Sequence, residues 1–80
     1  MQEDEAKLRE RFGSAIRELR LRQGLSQEEL AHRAGLSRNH VGGLERAEIS
    51  PGLVVLYRLA NAFRMSPENL LREVDSNRVT

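Results

Sequence analysis

The side chains most often used for catalysis and metal binding are scarce in this sequence of 80 residues. It has two histidines, His32 and His40, and no cysteine. The two histidines lie on different predicted helices, without the nearby carboxylates that a zinc site needs. The sequence also contains no glycine-rich phosphate-binding loop and no paired-histidine motif. We therefore expect neither an enzyme nor a bound metal, cofactor or small-molecule ligand.

Positive charge is concentrated in the middle of the chain. The formal net charge is only +1, but residues 11–64 carry nine arginines against five glutamates, whereas both ends are acidic. A basic middle segment suits a polyanionic partner, and arginine binds phosphates and guanine edges better than lysine does. Solvated helix faces with pairs such as Glu18 and Arg22 explain the same charges equally well, and a GC-rich genome would also favour arginine.

Length and composition predict one small domain, which we place at residues 1–75, followed by a flexible tail at residues 76–80. The absence of cysteine excludes stabilisation by disulfide bonds. No stretch approaches eighteen apolar residues, and the charged segment from Met1 to Glu10 lacks the apolar core of a secretory signal. We expect a cytoplasmic protein that does not contact a membrane.

Serine and glycine residues mark the predicted ends of five helices. Ser26 begins a capping box with Glu29, Ser37 caps a third helix, and Gly24 and Gly35 end the helices that precede them. The predicted helices run from about Asp4 to Gln23, from Ser26 to Gly35 and from Arg38 to Arg46, and then begin at Ser50-Pro51 and at Ser66-Pro67. No segment alternates like a strand, so the predicted fold class is all-α.

Apolar residues at helical spacing predict the core. The stripe of the first helix consists of Leu8, Phe12, Ala15, Ile16 and Leu19. The stripe of the fourth helix consists of Leu53, Leu56, Leu59, Ala60 and Phe63.

The segment at residues 26–46 has the spacing of a helix-turn-helix. Two short helices are joined by only Gly35 and Leu36 before the Ser37 cap. A steep crossing over so short a turn needs a small residue, which Ala31 supplies, and a residue that accepts a positive φ, which Gly35 supplies. The buried positions of the two helices are then Leu30, Ala34, Leu36, Val41 and Leu44.

From Gly24 to Ser37 the chain reads Gly-Leu-Ser-Gln-Glu-Glu-Leu-Ala-His-Arg-Ala-Gly-Leu-Ser, and Val-Gly-Gly-Leu-Glu-Arg begins at Val41. These motifs resemble the phage repressor and Cro type of DNA-binding domain, the XRE family, over roughly Phe12 to Leu71. The resemblance implies a compact five-helix lambda-repressor-like domain that places its third helix in the major groove of double-stranded DNA.

The resemblance also implies a role for individual residues. Arg38 and Asn39 match base-contacting positions, and their chemistry suits guanine and adenine respectively. His40 is a third candidate base reader, with a phosphate contact or a solvated imidazole as alternatives. Expected phosphate contacts are Gln27, Ser37, Arg46 and, with a plain solvated face as its alternative, Arg17. Arg20 and Glu45 match a pair that the family uses as a structural salt bridge.

Two glycines and an alanine in and after the third helix are unusual. Gly42 and Gly43 together cost about 2 kcal/mol relative to alanines. Since the family often has glycine before the Leu-Glu exit, we expect the backbone at Gly43 to approach DNA closely, with weak local stability as the alternative. Ala47 departs from the family, which prefers glycine there, and this predicts a strained or differently wound loop.

The fourth and fifth helices carry more apolar residues than a monomer core of this size needs. We expect a symmetric homodimer whose interface contains Val54, Val55, Tyr57, Leu70, Leu71 and Val74, with a well-filled monomer core as the alternative. Two recognition helices in such a dimer would lie about 34 Å apart and favour a pseudo-palindromic operator.

The sequence thus predicts a sequence-specific, dimeric transcriptional regulator. A controller of restriction-modification genes, a phage-type repressor, an antitoxin and a housekeeping regulator all fit the resemblance. Because a fold does not fix a function, the alternative is a protein-binding or antitoxin-like module on the same scaffold. Polar residues on the outer face of the third helix distinguish the two, and Arg38, Asn39, His40 and Arg46 favour DNA.

Overall fold

A computed structural model describes residues 4–77 and contains five α-helices in this part of the chain. The helices are α1 (Glu5–Arg22), α2 (Gln27–Ala34), α3 (Arg38–Glu45), α4 (Leu53–Ala62) and α5 (Pro67–Ser76). No strand occurs between residues 4 and 77. The predicted all-α, five-helix fold is therefore confirmed.

Short polar side chains begin four of the five helices. Asp4 accepts hydrogen bonds from the amides of Ala6 and Lys7, and Ser26 forms the predicted reciprocal capping box with Glu29. The hydroxyls of Ser37 and Ser66 each accept a bond from the amide three residues later, at 3.0 and 3.1 Å. These bonds satisfy amides that have no partner within the helix.

The predicted start of the fourth helix at Ser50-Pro51 is wrong. Gly52 is the N-cap of α4, in extended conformation and without a side-chain cap, and the first helical bond runs from the amide of Leu56 to the carbonyl of Gly52. Pro51 instead lines an apolar cleft together with Phe12 and Leu71. The Ser-Pro pair therefore belongs to the connection between α3 and α4, which borders this cleft beside α1 and α5 before α4 begins.

Sixteen apolar residues form the core that all five helices share: Phe12, Ala15, Ile16, Leu19, Leu25, Leu30, Ala31, Ala34, Val41, Leu44, Leu59, Ala60, Ala62, Phe63, Leu70 and Val74. Two members of the predicted stripes are exposed, and Leu56 is half-buried. Leu8 is 42% exposed and Leu53 is 70% exposed. Both lie in the first turn of their helices, where α1 and α4 extend beyond the centre of the core.

Helices α1 and α3 cross in close contact at Gly13. A β-carbon built on Gly13 would lie 2.5 Å from the carbonyl oxygen of Leu44 and 2.7 Å from that of Glu45. Real side chains essentially never approach backbone oxygens so closely. Gly13 is therefore required for the packing of α3 on α1, a role that the sequence pattern did not indicate.

The turn between α2 and α3 has the predicted geometry. Gly35 has a φ of +68°, the left-handed conformation, and the amide of Leu36 donates to the carbonyl oxygen of Ala31 at 2.9 Å. Ala31 is buried where the two helices pack together. The small residue and the glycine thus lie where the helix-turn-helix interpretation requires them.

The C-terminal end of the described chain is attached to α1. Helix α5 continues to Ser76, and the side-chain amide of Asn77 donates to a carboxylate oxygen of Glu18 at 2.8 Å. Arg22 also pairs with Glu73 across the same two helices. Ser76 therefore belongs to α5 and not to the flexible tail predicted from residue 76, and residues 78–80 lie outside the described residues.

The loop after α3 contains the strain that the sequence predicts. Ala47 has a φ of +63°, a conformation that glycine adopts readily and residues with a β-carbon resist. The Nε of Arg9 donates to the carbonyl oxygen of Ala47 at 3.2 Å and holds this turn against α1.

None of the helices between residues 4 and 77 is long and apolar enough to span a bilayer.

Replacing Gly13 with alanine tests the close crossing. In an open helix this change stabilises by up to about 1 kcal/mol; here we expect it to lower the free energy of unfolding by about 1–3 kcal/mol, because the methyl group meets backbone oxygens. Urea unfolding measures the difference. Ser14→Ala, at the next residue of α1, is the control and should leave stability unchanged or slightly higher. A stabilised Gly13→Ala variant would contradict the crossing.

Replacing Ala47 with glycine tests the strained turn. The left-handed conformation costs a residue with a β-carbon roughly 1–2 kcal/mol, and the greater freedom of glycine in the unfolded chain offsets part of the gain. We expect Ala47→Gly to raise the free energy of unfolding by about 0.5–1 kcal/mol. Ala60→Gly, in the buried interior of α4, should instead lower it by at least about 1 kcal/mol. Losses in both variants would show that Ala47 is not strained.

Candidate nucleic-acid interface

Helix α3 presents one face to the core and one to solvent. Val41 and Leu44 are fully buried, and Arg38 and Asn39 are exposed in the first turn. At 100° per residue, the face opposite the buried pair carries Arg38 and Asn39 and then, one turn later, Gly42, Gly43 and Arg46. His40 lies at the edge of this face and is half-buried. The predicted base-reading residues are thus brought together at the N-terminal end of α3.

The N-terminal end of α3 provides donors as well as side chains. The Ser37 hydroxyl accepts from the amide of His40, and its own proton stays available to donate. The amides of Arg38 and Asn39 belong to the first turn, where helical amides have no partner within the helix. With the partial positive charge of the helix end, these groups suit a phosphate beside the exposed side chains.

A buried ion pair fixes the opposite end of α3. The Nε of Arg20 donates to Glu45 Oε2 at 2.7 Å, and its Nη2 donates to Glu45 Oε1 at 3.0 Å. The Nη1 of Arg20 donates to the carbonyl oxygen of Leu25 at 2.9 Å. The side chains of Arg20 and Glu45 are 10% and 4% exposed. The hydrogen bond to Glu45 and the attraction of its charge raise the pKa of Arg20 above its ordinary value, although burial opposes this.

Gln27 joins this ion pair at the start of α2. Its Nε2 donates to Glu45 Oε1 at 3.1 Å, so one carboxylate oxygen receives bonds from both Gln27 and Arg20. Gln27 is half-buried. The second proton on Nε2 remains available to donate. Glu45 thus orients the side chain that the sequence analysis expects to contact phosphate.

Arg46 pairs with Glu48 rather than standing free. Its Nε and Nη2 donate to the two carboxylate oxygens of Glu48 at 3.0 and 3.2 Å. Glu48 raises the pKa of Arg46 through these hydrogen bonds and its charge, and Arg46 lowers the pKa of Glu48 in the same way. A β-carbon on Gly42 would lie 2.8 Å from Arg46 Nη1, so glycine lets this arginine lie back across α3. Nothing in the sequence pattern indicates this pairing role of Glu48.

Gly43 does not face solvent as the sequence analysis expected. It is buried, and a β-carbon there would lie 3.2 Å from Cδ1 and 3.4 Å from Cγ1 of Ile49. The predicted direct approach of DNA to Gly43 is therefore wrong, because the Ile49 side chain covers the glycine. Nothing in the local sequence pattern connects these two residues, since six positions and a turn separate them.

Two further arginines differ in their surroundings. Arg17 is exposed on α1, as a phosphate contact requires. Arg58, which the charge pattern leaves as an ordinary surface residue, donates from Nη1 to the carbonyl oxygen of Gly35 at 3.3 Å and so links α4 to the helix-turn-helix turn. Among residues 4–77, no group of three or more His, Asp or Glu side chains could hold a metal ion.

The predicted dimer residues do not share one surface. Leu70 and Val74 are buried in the monomer core, and half-buried Val55 packs against that core, so the prediction is wrong for Leu70 and Val74. Leu71 is exposed beside the cleft that contains Leu8 and Phe12. Val54 and Tyr57 are exposed on α4 next to Leu53, and they line a different groove from the cleft beside Leu71.

We call the three exposed residues Leu53, Val54 and Tyr57 the α4 patch. They are 70%, 64% and 55% exposed. Together with Met65 and Pro67 they line an open groove of about 600 Å³. At 100° per residue these three residues lie on one face of α4, while Val55 and Leu56 on the opposite face pack against the core.

Comparisons with known proteins agree with this architecture. Residues 16–70 match the helix-turn-helix family HTH_3. The chain is 37% identical over 68 residues to the HTH-type transcriptional regulator y4dJ of Sinorhizobium fredii. The matched segment covers 85% of this chain and 88% of that protein. It is 47% identical over 47 residues to an HTH-type transcriptional regulator of Methanothermobacter thermautotrophicus, which covers 59% and 68% of the two chains.

Solved structures with the same fold include the restriction-modification controller protein C.AhdI from Aeromonas hydrophila, at 45% identity and a TM-score of 0.75 over 78% of this chain and 94% of that one. The clp gene regulator ClgR from Corynebacterium glutamicum is similar at 28% identity and a TM-score of 0.80, over 90% and 94% of the two chains. The chain therefore belongs to the XRE-type helix-turn-helix family of DNA-binding transcription regulators.

Proposed function

We propose that this protein regulates transcription by binding a pseudo-palindromic operator as a homodimer, with α3 of each protomer in the major groove. The observation that carries the proposal is the outer face of α3. Its first turn exposes Arg38 and Asn39, two side chains whose donors and acceptors match base edges. A protein-binding module on this scaffold would be expected to expose apolar side chains at the same positions.

The contacts divide between base reading and positioning. Arg38 would bind the O6 and N7 of a guanine, Asn39 would bind the N6 and N7 of an adenine, and half-buried His40 is the third candidate reader. Gln27, Ser37, Arg46 and Arg17 would contact phosphates. Because Glu45 orients Gln27 and also forms the ion pair with Arg20, the phosphate contact is rigidly connected to the helix that reads the bases.

The α4 patch is the surface that we propose for the dimer. Three large apolar side chains that are each more than half exposed, next to a groove, suit an interface better than they suit solvent. A two-fold axis would place the same patch of each protomer against its copy. The two α3 helices would then read half-sites about 10 base pairs apart.

The similarity to a restriction-modification controller protein favours one subtype. Among the regulators considered from the sequence, a controller of restriction-modification genes fits the 45% identity to C.AhdI. Control would then depend on protein concentration, through dimerisation and occupancy of the operator. Selection of bound sequences from a random duplex library with the purified protein tests the proposal, and a consensus of two related half-sites is the expected result.

Alanine variants of Arg38 and Gln27 distinguish base reading from phosphate binding. We expect Arg38→Ala to weaken operator binding by about 1–3 kcal/mol and to relax specificity at one base pair of each half-site. Gln27→Ala should weaken binding to the operator and to random DNA by similar factors, and should leave the salt dependence of binding nearly unchanged because Gln27 carries no charge. Equilibrium binding to both duplexes at two salt concentrations measures these effects. Equal losses on both duplexes for Arg38→Ala would contradict its reading role.

Charge at the α4 patch tests the dimer. Val54→Glu places a carboxylate in the proposed interface, and its cost of desolvation should shift the protein toward monomers and weaken operator binding at least tenfold. Analytical ultracentrifugation and binding to the full operator measure the two effects. Leu21→Glu, at an exposed aliphatic residue of α1, is the matched control and should change neither. Dimers of unchanged affinity in the Val54→Glu variant would exclude this surface.

A further inference from the structure

The second turn of the outer face of α3 has no side chains of its own. Arg38 and Asn39 lie on the first turn, and the residues one turn later on the same face are Gly42 and Gly43. A helix in the major groove presents both turns to the bases. Two glycines would therefore leave the second turn bare, unless other parts of the chain cover it.

Two side chains from beyond the end of α3 cover these glycines. The guanidinium of Arg46 lies over Gly42, and the side chain of Ile49 lies over Gly43, with Cδ1 at 3.2 Å from the place of a β-carbon. Alanine at position 42 would overlap Arg46, and alanine at position 43 would press on Ile49. The glycines thus make room for side chains that return to the face from the following loop.

Ile49 keeps an apolar surface on an otherwise polar face. It is 39% exposed, while its neighbours in the loop, Arg46 and Glu48, are paired with one another. A phosphate contact at this place would need a donor or a positive charge, and Ile49 has neither. The exposed part of Ile49 therefore suits an apolar group of the DNA.

We propose that Ile49 is a specificity-determining residue that contacts the C5-methyl group of a thymine in the operator. The thymine methyl is the apolar group that a base pair presents in the major groove, which makes it the natural partner of an aliphatic side chain on the reading face. The inference rests on the proposed function, since it requires α3 to lie in that groove. Ile49 would read a base pair beside those that Arg38 and Asn39 read.

Removing the thymine methyl group from the DNA and shortening the side chain of Ile49 test the contact from both sides. The probe is the duplex selected from a random library, with each thymine in turn replaced by uracil, which lacks only the C5-methyl. For the unaltered protein we expect that one thymine position in each half-site is sensitive. Uracil at that position should weaken binding about fourfold, the effect of one buried methyl group. For Ile49→Ala we expect the same replacement to have no effect. Ile49→Val, which lacks only Cδ1, should show an intermediate sensitivity.

Leu21→Ala is the matched control, because Leu21 is another exposed aliphatic residue and lies on α1. It should keep the full sensitivity to uracil. If Ile49→Ala keeps the same sensitivity as the unaltered protein, the inference is overturned and Ile49 only packs on Gly43. The same conclusion follows if Ile49→Ala weakens binding to operator and random DNA equally. A protein that selects no sequence from the library would instead overturn the proposed function.

Discussion

The position of the recognition helix depends on the buried ion pair between Arg20 and Glu45. An ion pair removed from water stabilises a fold only when hydrogen bonds satisfy its remaining donors and acceptors. Here Arg20 bonds both oxygens of Glu45 and the carbonyl oxygen of Leu25, while Gln27 supplies a further donor to Glu45. One carboxylate on α3 thereby connects the end of α1, the turn before α2 and the first residue of α2. The end of α3 that is proposed to read bases and the Gln27 side chain that is proposed to contact phosphate consequently have a fixed geometry.

Glycine allows the close contacts that complete this arrangement. Gly13 lets the backbone of α3 approach α1 at the same carboxyl-terminal end where Glu45 forms its ion pair. Gly42 and Gly43 serve the opposite side of α3, where Arg46 and Ile49 lie against the helix. Each of the three positions lowers intrinsic helix stability. On one side of α3 the loss is offset by the packing of α3 on α1 at Gly13. On the other side it is offset by the contacts of Arg46 with Gly42 and of Ile49 with Gly43.

Local signals in the sequence were sufficient for much of this fold. The caps at Ser26, Ser37 and Ser66 and the left-handed Gly35 were predictable because each depends on residues within one turn, and the strain at Ala47 was predictable from the glycine that the family prefers there. The role of Gly13 and the cover of Gly43 by Ile49 were not, because each depends on a contact that forms only after α3 has packed. The same reason explains the error at Leu70 and Val74. Apolar residues at helical spacing indicate burial, but the monomer core and a partner surface give the same pattern.

The connection between α3 and α4 relates DNA reading to dimerisation in the proposed regulator. Within it, Ile49 covers the outer face of α3, Pro51 lines the cleft beside α1 and α5, and Gly52 is the N-cap of α4, whose exposed face carries the α4 patch. The bond from Arg9 to Ala47 fixes the first turn of this segment. In a two-fold dimer, the separation of the two α3 helices depends on how rigidly this segment holds α3 relative to the patch. In the proposed dimer, the direction that the left-handed Ala47 gives the chain would therefore contribute to the spacing of the half-sites.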